Sequence, residues 1–348
     1  MSPTKAGSSA GTTPAEAPAS SAPGLAKRLR VDFKSVGELG AFVVLVVVFA
    51  ILNPATFLTA KNIQTILNQS AIPLIIAVGA TLVILMGSID LSVEGVMGAA
   101  GMTFVLMTAN SRGGADYGVL VALIVALAVG MVLGLASGLI HTRLGVPSFI
   151  VTLGVWYVGL GIATLLFGTE AIPFITNDAL KLWPGGIVLG LPRSFWLALV
   201  LVLLGAALAR YTRLGRSAYA IGNNEQIALS NGVAVARNKV IIFVIAGACS
   251  ALAGVFASIQ LGAGSATVGI GSLFLTIAAV VIGGTALSGG KGGILRSALG
   301  VLLLTTLNNG LILSGVSPNI QSGVSGAILV AAIVAAAWPH RGRLRVSK

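Results

Sequence analysis

Apolar residues in this chain come in repeated blocks of about 20, each long enough to cross ~30 Å of hydrocarbon as a helix. Ten such blocks can be drawn, at approximately 38–53, 63–86, 91–109, 118–140, 147–168, 195–209, 240–260, 273–287, 298–313 and 321–338. Only 9% of the 348 residues are charged, against 56% hydrophobic. An ordinary soluble domain carries about a quarter charged residues, so this chain lacks the charge to cover a water-facing surface. Its 46 glycines suit close helix packing in lipid. The expectation is an all-α polytopic membrane protein of about ten transmembrane helices.

The formal net charge of +12 would suit a nucleic-acid partner if the basic residues formed a patch, but they sit in short segments between the apolar blocks. With the N-terminus in the cytosol, 17 of the 21 Lys and Arg fall on the inside. Only Lys61, Arg112, Lys181 and Arg193 fall outside, as the positive-inside rule demands. An odd number of crossings would strand one basic terminus on the wrong side, so both termini are expected in the cytosol. The lone Cys249 allows no intramolecular disulfide, and His141 and His340 alone make neither a metal site nor a hydrolytic triad.

Residues 1–36 read as a disordered cytosolic tail: Ser, Ala, Thr, Pro and Gly up to residue 26, then a basic cluster of Lys27, Arg28, Arg30 and Lys34. That cluster comes too late, and the block behind it is too long, for a secretory signal. The membrane domain spans 37–338, and 339–348 form a basic cytosolic tail. Two segments break the pattern. Residues 169–194, with Pro173, Pro184 and Pro192, read as a structured external loop or interfacial element. Residues 261–293 bracket a short apolar run with glycines, which predicts a broken or re-entrant segment satisfied by protein or a water-filled cavity.

Three stretches bear on mechanism. In GSIDLSVEG (87–95), Asp90 and Glu94 are four apart and share a helix face. A carboxylate at the bilayer centre costs about 2.5–3.5 kcal/mol on insertion scales. The pair therefore either lines a polar solute path or serves a helix start, Asp90 capping a helix from Leu91 and Glu94 favoured by its dipole; the two roles are compatible. In the polar connection 213–239, Asn223 and Gln226 have capping-box spacing and Gly232 makes a stop. These frame a short helix near 224–231, too short to stand without a surface, which either its own membrane domain or a cytosolic partner supplies. GTALSGGKGG is not a phosphate loop: Thr285 stands where the first Gly is required and Gly292 where Ser or Thr is. Any pumping energy must come from another chain or an ion gradient. The other intramembrane polar residues, Asn68, Gln69, Thr152, Gln260, Thr305, Asn308 and Asn309, either bridge helices or offer hydrogen bonds to a hydroxyl-rich solute.

The strings GSIDLSVEGVM, GVPSFIVTLG, RLGRSAYAIGNNEQIALSNGVAV, IAAVVIGGTALSGGKGG and LNNGLILSGVS, in this order, resemble the permease subunit of ribose-type ABC sugar importers. That group lies within the superfamily of branched-chain amino-acid permeases, and the resemblance runs over roughly 38–338. It implies ten helices per subunit in a bacterial cytoplasmic membrane and a second permease subunit, identical or different. It also implies a cytosolic ATPase holding ATP-Mg, an external solute-binding protein and a small solute such as a monosaccharide, with no cofactor in this chain. It implies that Gly222, Asn223, Asn224, Glu225, Gln226, Ala228, Leu229 and Gly232 form the helix that couples to the ATPase. Asp90 and Ser92 lie in the family's IDLS motif and Asn308-Asn309 in its LNNG motif; with Asn68, Gln69, Glu94, Thr152 and Gln260 they are the expected path residues. Two departures stand out. The resembled pattern has Gly where Glu94 stands, and a Tyr-Glu-Leu-Asp stretch where this chain reads Ser272, Leu273, Phe274 and Leu275. Rival expectations are a branched-chain amino-acid permease and a secondary transporter in which Asp90 or Glu94 carries protons.

Overall fold

The computed structural model of the chain describes residues 33–317 and, beyond them, 320, 321, 323, 324, 326, 327 and 330. Each of the first nine expected blocks falls on a helix: α1 (Phe33–Leu52), α2 (Ala60–Leu85), α3 (Val93–Met107), α4 (Val119–Arg143), α5 (Ser148–Phe167), α7 (Arg193–Tyr211), α10 (Val235–Leu261), α11 (Ser272–Ile282) and α12 (Ile294–Leu313). Between them lie α6 (Asp178–Leu182), α8 (Arg213–Asn223) and α9 (Glu225–Ser230), with one short hairpin of β1 (Ile187–Val188) and β2 (Leu191–Pro192). α1 begins inside the expected N-terminal tail. The remainder of that tail, most of the tenth block and the C-terminal tail lie outside the described residues.

Among the described residues six helices, α2, α4, α5, α7, α10 and α12, are long and apolar enough to cross a membrane. The chain is an all-α polytopic membrane protein. α3 and α11 are shorter, and each start has a chemical cause. α2 ends at Leu85, Gly87 turns the chain at φ +76°, and residues 88–92 run irregularly before α3. α10 ends on Gly262 in the left-handed conformation, and Gly271, at φ +87°, precedes α11.

Packing follows glycine. A Cβ on Gly134 of α4 would collide with the Phe243 carbonyl of α10, and one on Gly247 of α10 with the Gly130 carbonyl of α4. These backbones therefore touch, the small-residue route by which membrane helices associate without a hydrophobic drive. α2, α3 and α10 form the interior, whereas α4, α5 and α7 keep broad apolar faces, including Leu120, Leu165 and Leu204, for lipid.

The segment 169–194 is structured, as expected. Bridges from Asn110 to Ile175 and from Phe174 to Ala263 pin it to the ends of α3 and α10. Arg112 ties it to α5, donating from Nε to the Ala171 carbonyl (2.7 Å) and from Nη2 to that of Phe167 (2.8 Å).

Candidate functional site

Irregular backbone at membrane depth needs hydrogen-bond partners from elsewhere. For residues 88–92 they come from the first turns of α5: Ile89 N–H donates to Ser148 Oγ (3.0 Å) and Leu91 N–H to Thr152 Oγ1 (2.9 Å). Thr152 returns its proton to the Ser148 carbonyl (2.9 Å). Asp90 Oδ1 accepts from Ser92 N–H (2.8 Å) and Ser92 Oγ (2.6 Å). The helix expected from Leu91 begins at Val93, so Asp90 closes a turn ahead of α3 rather than capping it, and Ser92, the N-cap, makes no side-chain cap bond. Asp90, Ser92, Glu94 and Thr152 are all buried.

Glu94 stands in the first turn of α3, but its carboxylate serves another helix. Oε1 accepts from the backbone N–H of Gly271 (3.0 Å) and Leu273 (3.1 Å), at the start of α11. A buried acceptor oxygen thus meets the free donors at the start of α11. The two departures from the resembled pattern fall on each other in space. The Glu94 carboxylate lies against the backbone of 272–275, the stretch where the resembled pattern carries acidic residues.

The other expected path residues are dispersed. Asn309 of α12 and Asn62 of α2 exchange two amide hydrogen bonds (2.9 and 3.0 Å), with Asn62 also donating to the Phe57 carbonyl (2.9 Å). Asn68 accepts from Ser194 Oγ, joining α2 to α7. Gln69 and Gln260 are exposed, Thr305 is buried, and Asn308 has a bonding partner of its own.

The second half of the site is the α8–α9 hook. Thr212 caps α8 by accepting from Gly215 N–H (3.1 Å). The connection is therefore helical from Arg213 onward, where the sequence suggests only the later short helix. Because α8 continues through Asn223, the cap of α9 moves one residue to Asn224, whose Oδ1 accepts from Ile227 N–H (3.0 Å). No capping box forms with Gln226, since the third helical residue is Ile227. α9 covers Glu225–Ser230 and stops before Gly232, at φ +77°. Ala228 is buried, while Ile227 and Leu229 are 61% and 57% exposed, an unpartnered apolar pair at the tip.

The hook is fixed at two points. Lys239 Nζ of α10 donates to Glu225 Oε2 (2.8 Å), and His141 Nε2 lies 3.5 Å from the same ammonium. At the other end, a Cβ on Gly222 would overlap the Leu85 carbonyl and the Gly290 amide. Gly290 N–H donates to that carbonyl (2.9 Å). Tyr219 donates its hydroxyl to the Gly292 carbonyl (3.1 Å). Burial pushes that hydroxyl above its ordinary pKa, with the Arg296 guanidinium pulling the other way, so it remains a protonated donor. A hydroxyl chain completes the joint: Thr81 donates to Ser297 Oγ (2.8 Å), which lies 3.1 Å from Thr285 Oγ1. Sequence reading missed Ser148, Asn62, Lys239 and Tyr219. Only Lys239, a basic residue at the edge of an apolar block, carried any local signal.

A multi-pass bundle of apolar helices with a helical hook at one end has the form of a membrane transport protein. Residues 62–333 match the family described as the permease component of branched-chain amino acid transport systems, and the chain belongs to that family. It is 40% identical to the ribose import permease protein RbsC of Bacillus subtilis over 314 residues, 88% of this chain and 95% of the relative. It is 36% identical to the probable ABC transporter permease protein YphD of Escherichia coli, covering 87% and 90% of the two chains. Identity to the D-allose transport system permease protein AlsC of Escherichia coli is 34%, over 85% and 90%. No solved structure matches the chain.

Proposed function

We propose that this chain is the membrane subunit of an ATP-driven importer for a monosaccharide or related small polyol in a bacterial cytoplasmic membrane. The observation that carries this reading is its likeness, over nearly the whole membrane domain, to permeases named for ribose and allose. In this reading ten segments enter the membrane, with both termini in the cytosol. The 11 residues of α11 rise only about 16 Å, so α11 and the irregular chain before it act as one broken, re-entrant element. A second permease subunit completes the pathway. A cytosolic ATPase holds the ATP-Mg, and a loaded binding protein docks over 169–194.

The coupling route runs through backbone contacts. Ile227 and Leu229 enter the ATPase, and closure of its ATP sites pushes on α9. The push passes through α8 to the Gly222–Leu85–Gly290 contact. From there it reaches 86–92, which carries Asp90 and leads to Glu94 and α11. The bundle then exchanges an outward-open for an inward-open arrangement, two states biased from opposite faces. Asp90, Ser92, Thr152 and Glu94 are the polar groups nearest that moving part.

The test is a pull-down of the tagged full chain from native membranes, with Leu229→Arg alongside, followed by uptake of labelled ribose. Leu229 is the better probe because losing Glu225 would also free the hook from α10. Co-purification of an ATPase with wild type and not with Leu229→Arg, and uptake competed by ribose or allose, is the expected result. No ATPase even after cross-linking would reject the reading in favour of a gradient-driven carrier. The family's description gives a second reading some weight: uptake competed by leucine and indifferent to sugars would assign a branched-chain amino acid instead.

A further inference from the structure

Beside the hook, α8 and the start of α10 enclose a hollow of about 760 Å³, bordered by Arg213, Arg216 and Arg237 and floored by Leu214, Val233 and Ile241. A second hollow of about 350 Å³ shares Arg237 and Ile241 with it, adding Arg143, Leu139 and Val240 between α4 and α10. The ion pairs among the described residues are Arg112–Glu170, Lys181–Asp178 and Lys239–Glu225, and none involves these four arginines. Among the described residues the Arg216 side chain makes one hydrogen bond, to the Tyr211 carbonyl (3.3 Å). Neither hollow is lined by a carboxylate.

We infer that the two hollows form one binding site for an anionic phospholipid, its phosphate held by Arg213, Arg216 and Arg237 and an acyl chain lying along Leu139, Val240 and Ile241. Two features select a lipid. The guanidinium groups stand at the end of a lipid-embedded bundle, where basic pockets between helices take anionic headgroups, and guanidinium matches phosphate as a two-pronged donor. The hollow also continues onto apolar residues of α4 and α10, two membrane-crossing helices, which an inorganic anion would not use. The exposed apolar pair suited to a protein partner, Ile227 and Leu229, lines neither hollow. The site rests on membrane placement alone, whatever the solute or its driving force. It adds that the hook moves against bound lipid, so headgroup charge would tune coupling.

Native mass spectrometry of the full chain, purified in the assembly it forms, tests this with added phosphatidylglycerol, phosphatidylcholine or inorganic phosphate. Wild type should retain phosphatidylglycerol at activation energies that strip phosphatidylcholine. The triple change Arg213→Gln, Arg216→Gln and Arg237→Gln should weaken it on the order of 100-fold, at roughly fivefold per cation near an anionic surface. Arg213→Gln and Arg237→Gln, made singly, give the same reading at about fivefold each if the triple variant fails to assemble. Equal retention by variant and wild type would overturn the site. So would inorganic phosphate displacing the lipid, which would make it an ion site. Variants that keep phosphatidylglycerol but lose a co-purifying ATPase would overturn it too, by giving these arginines to a protein.

Discussion

Glu225 of α9 and Lys239 of α10 form an ion pair at 2.8 Å in which the lysine side chain is 9% exposed and the carboxylate 52%. The inner member cannot be left alone without burying an uncompensated charge, whereas the outer one keeps half its hydration. The pair therefore works as a tether that holds the hook against the bundle. Glu225 is engaged with α10, and Ile227 and Leu229 are the apolar residues that α9 exposes, beside the polar Gln226 and Ser230.

Reversing the tether is the sharpest test of it. Glu225→Lys alone should cut solute uptake severalfold by setting two ammonium groups against each other, and Lys239→Glu alone should do the same with two carboxylates. Glu225→Lys/Lys239→Glu together should recover most of the uptake. The coupling in a thermal-melt cycle should be about 1 kcal/mol, because the outer partner is half in water. Additive losses in the cycle would mean that the contact carries nothing.

The Glu94 contact predicts a graded response. Glu94→Gln keeps an acceptor oxygen for Gly271 and Leu273 and should cost little stability in detergent melts. Glu94→Ala strands two donors at the start of α11 and should cost about 2 kcal/mol or more, since each unsatisfied group carries its own desolvation penalty. Identical melting of the two variants would show that the carboxylate does not hold α11.

Gly222 should tolerate nothing larger. Gly222→Ala places a methyl group on the Leu85 carbonyl and should abolish uptake while membrane insertion persists. Gly154→Ala and Gly161→Ala, where an added Cβ meets nothing within 4 Å, serve as matched controls and should transport normally. Full uptake by Gly222→Ala would remove the backbone joint from the coupling route.

Asn62 and Asn309 answer whether an expected path residue is instead a clamp. Their reciprocal bonds predict a coupling of about 0.6–2 kcal/mol between Asn62→Ala and Asn309→Ala in melting. Solute affinity should be unchanged in either. A shift in solute selectivity with no coupling in stability would return Asn309 to the pathway.

The bundle was legible because hydrocarbon thickness sets block length, a signal every block carries within itself. Around the site, local spacing marked the polar stretch 87–95 and a short helix near 224–231, but it made Asp90 the cap of a helix from Leu91, where α3 begins at Val93 and Asp90 bonds Ser92 instead. α8 escaped because its amphipathic sequence, with Arg213, Arg216 and Asn223, imitates a polar loop, and that extra helix shifted the next cap by one residue. Glu94 looked like a helix-start acid because its partners lie 177 and 179 residues away, and no spacing rule reaches that far. Asn309 pairs across 247 residues, so composition could not tell a clamp from a lining group.

The meeting of Gly222, Leu85 and Gly290 consists of main chain alone. Its fit depends on atoms that every amino acid shares, and the one demand it makes is that nothing project there. Side chains around Asp90, Glu94 and the start of α11 can change without disturbing it. In the proposed coupling route the transmission and the cargo hold would wear separately: new cargo could be accommodated by exchanging a few side chains, while the linkage that drives it stays as it was.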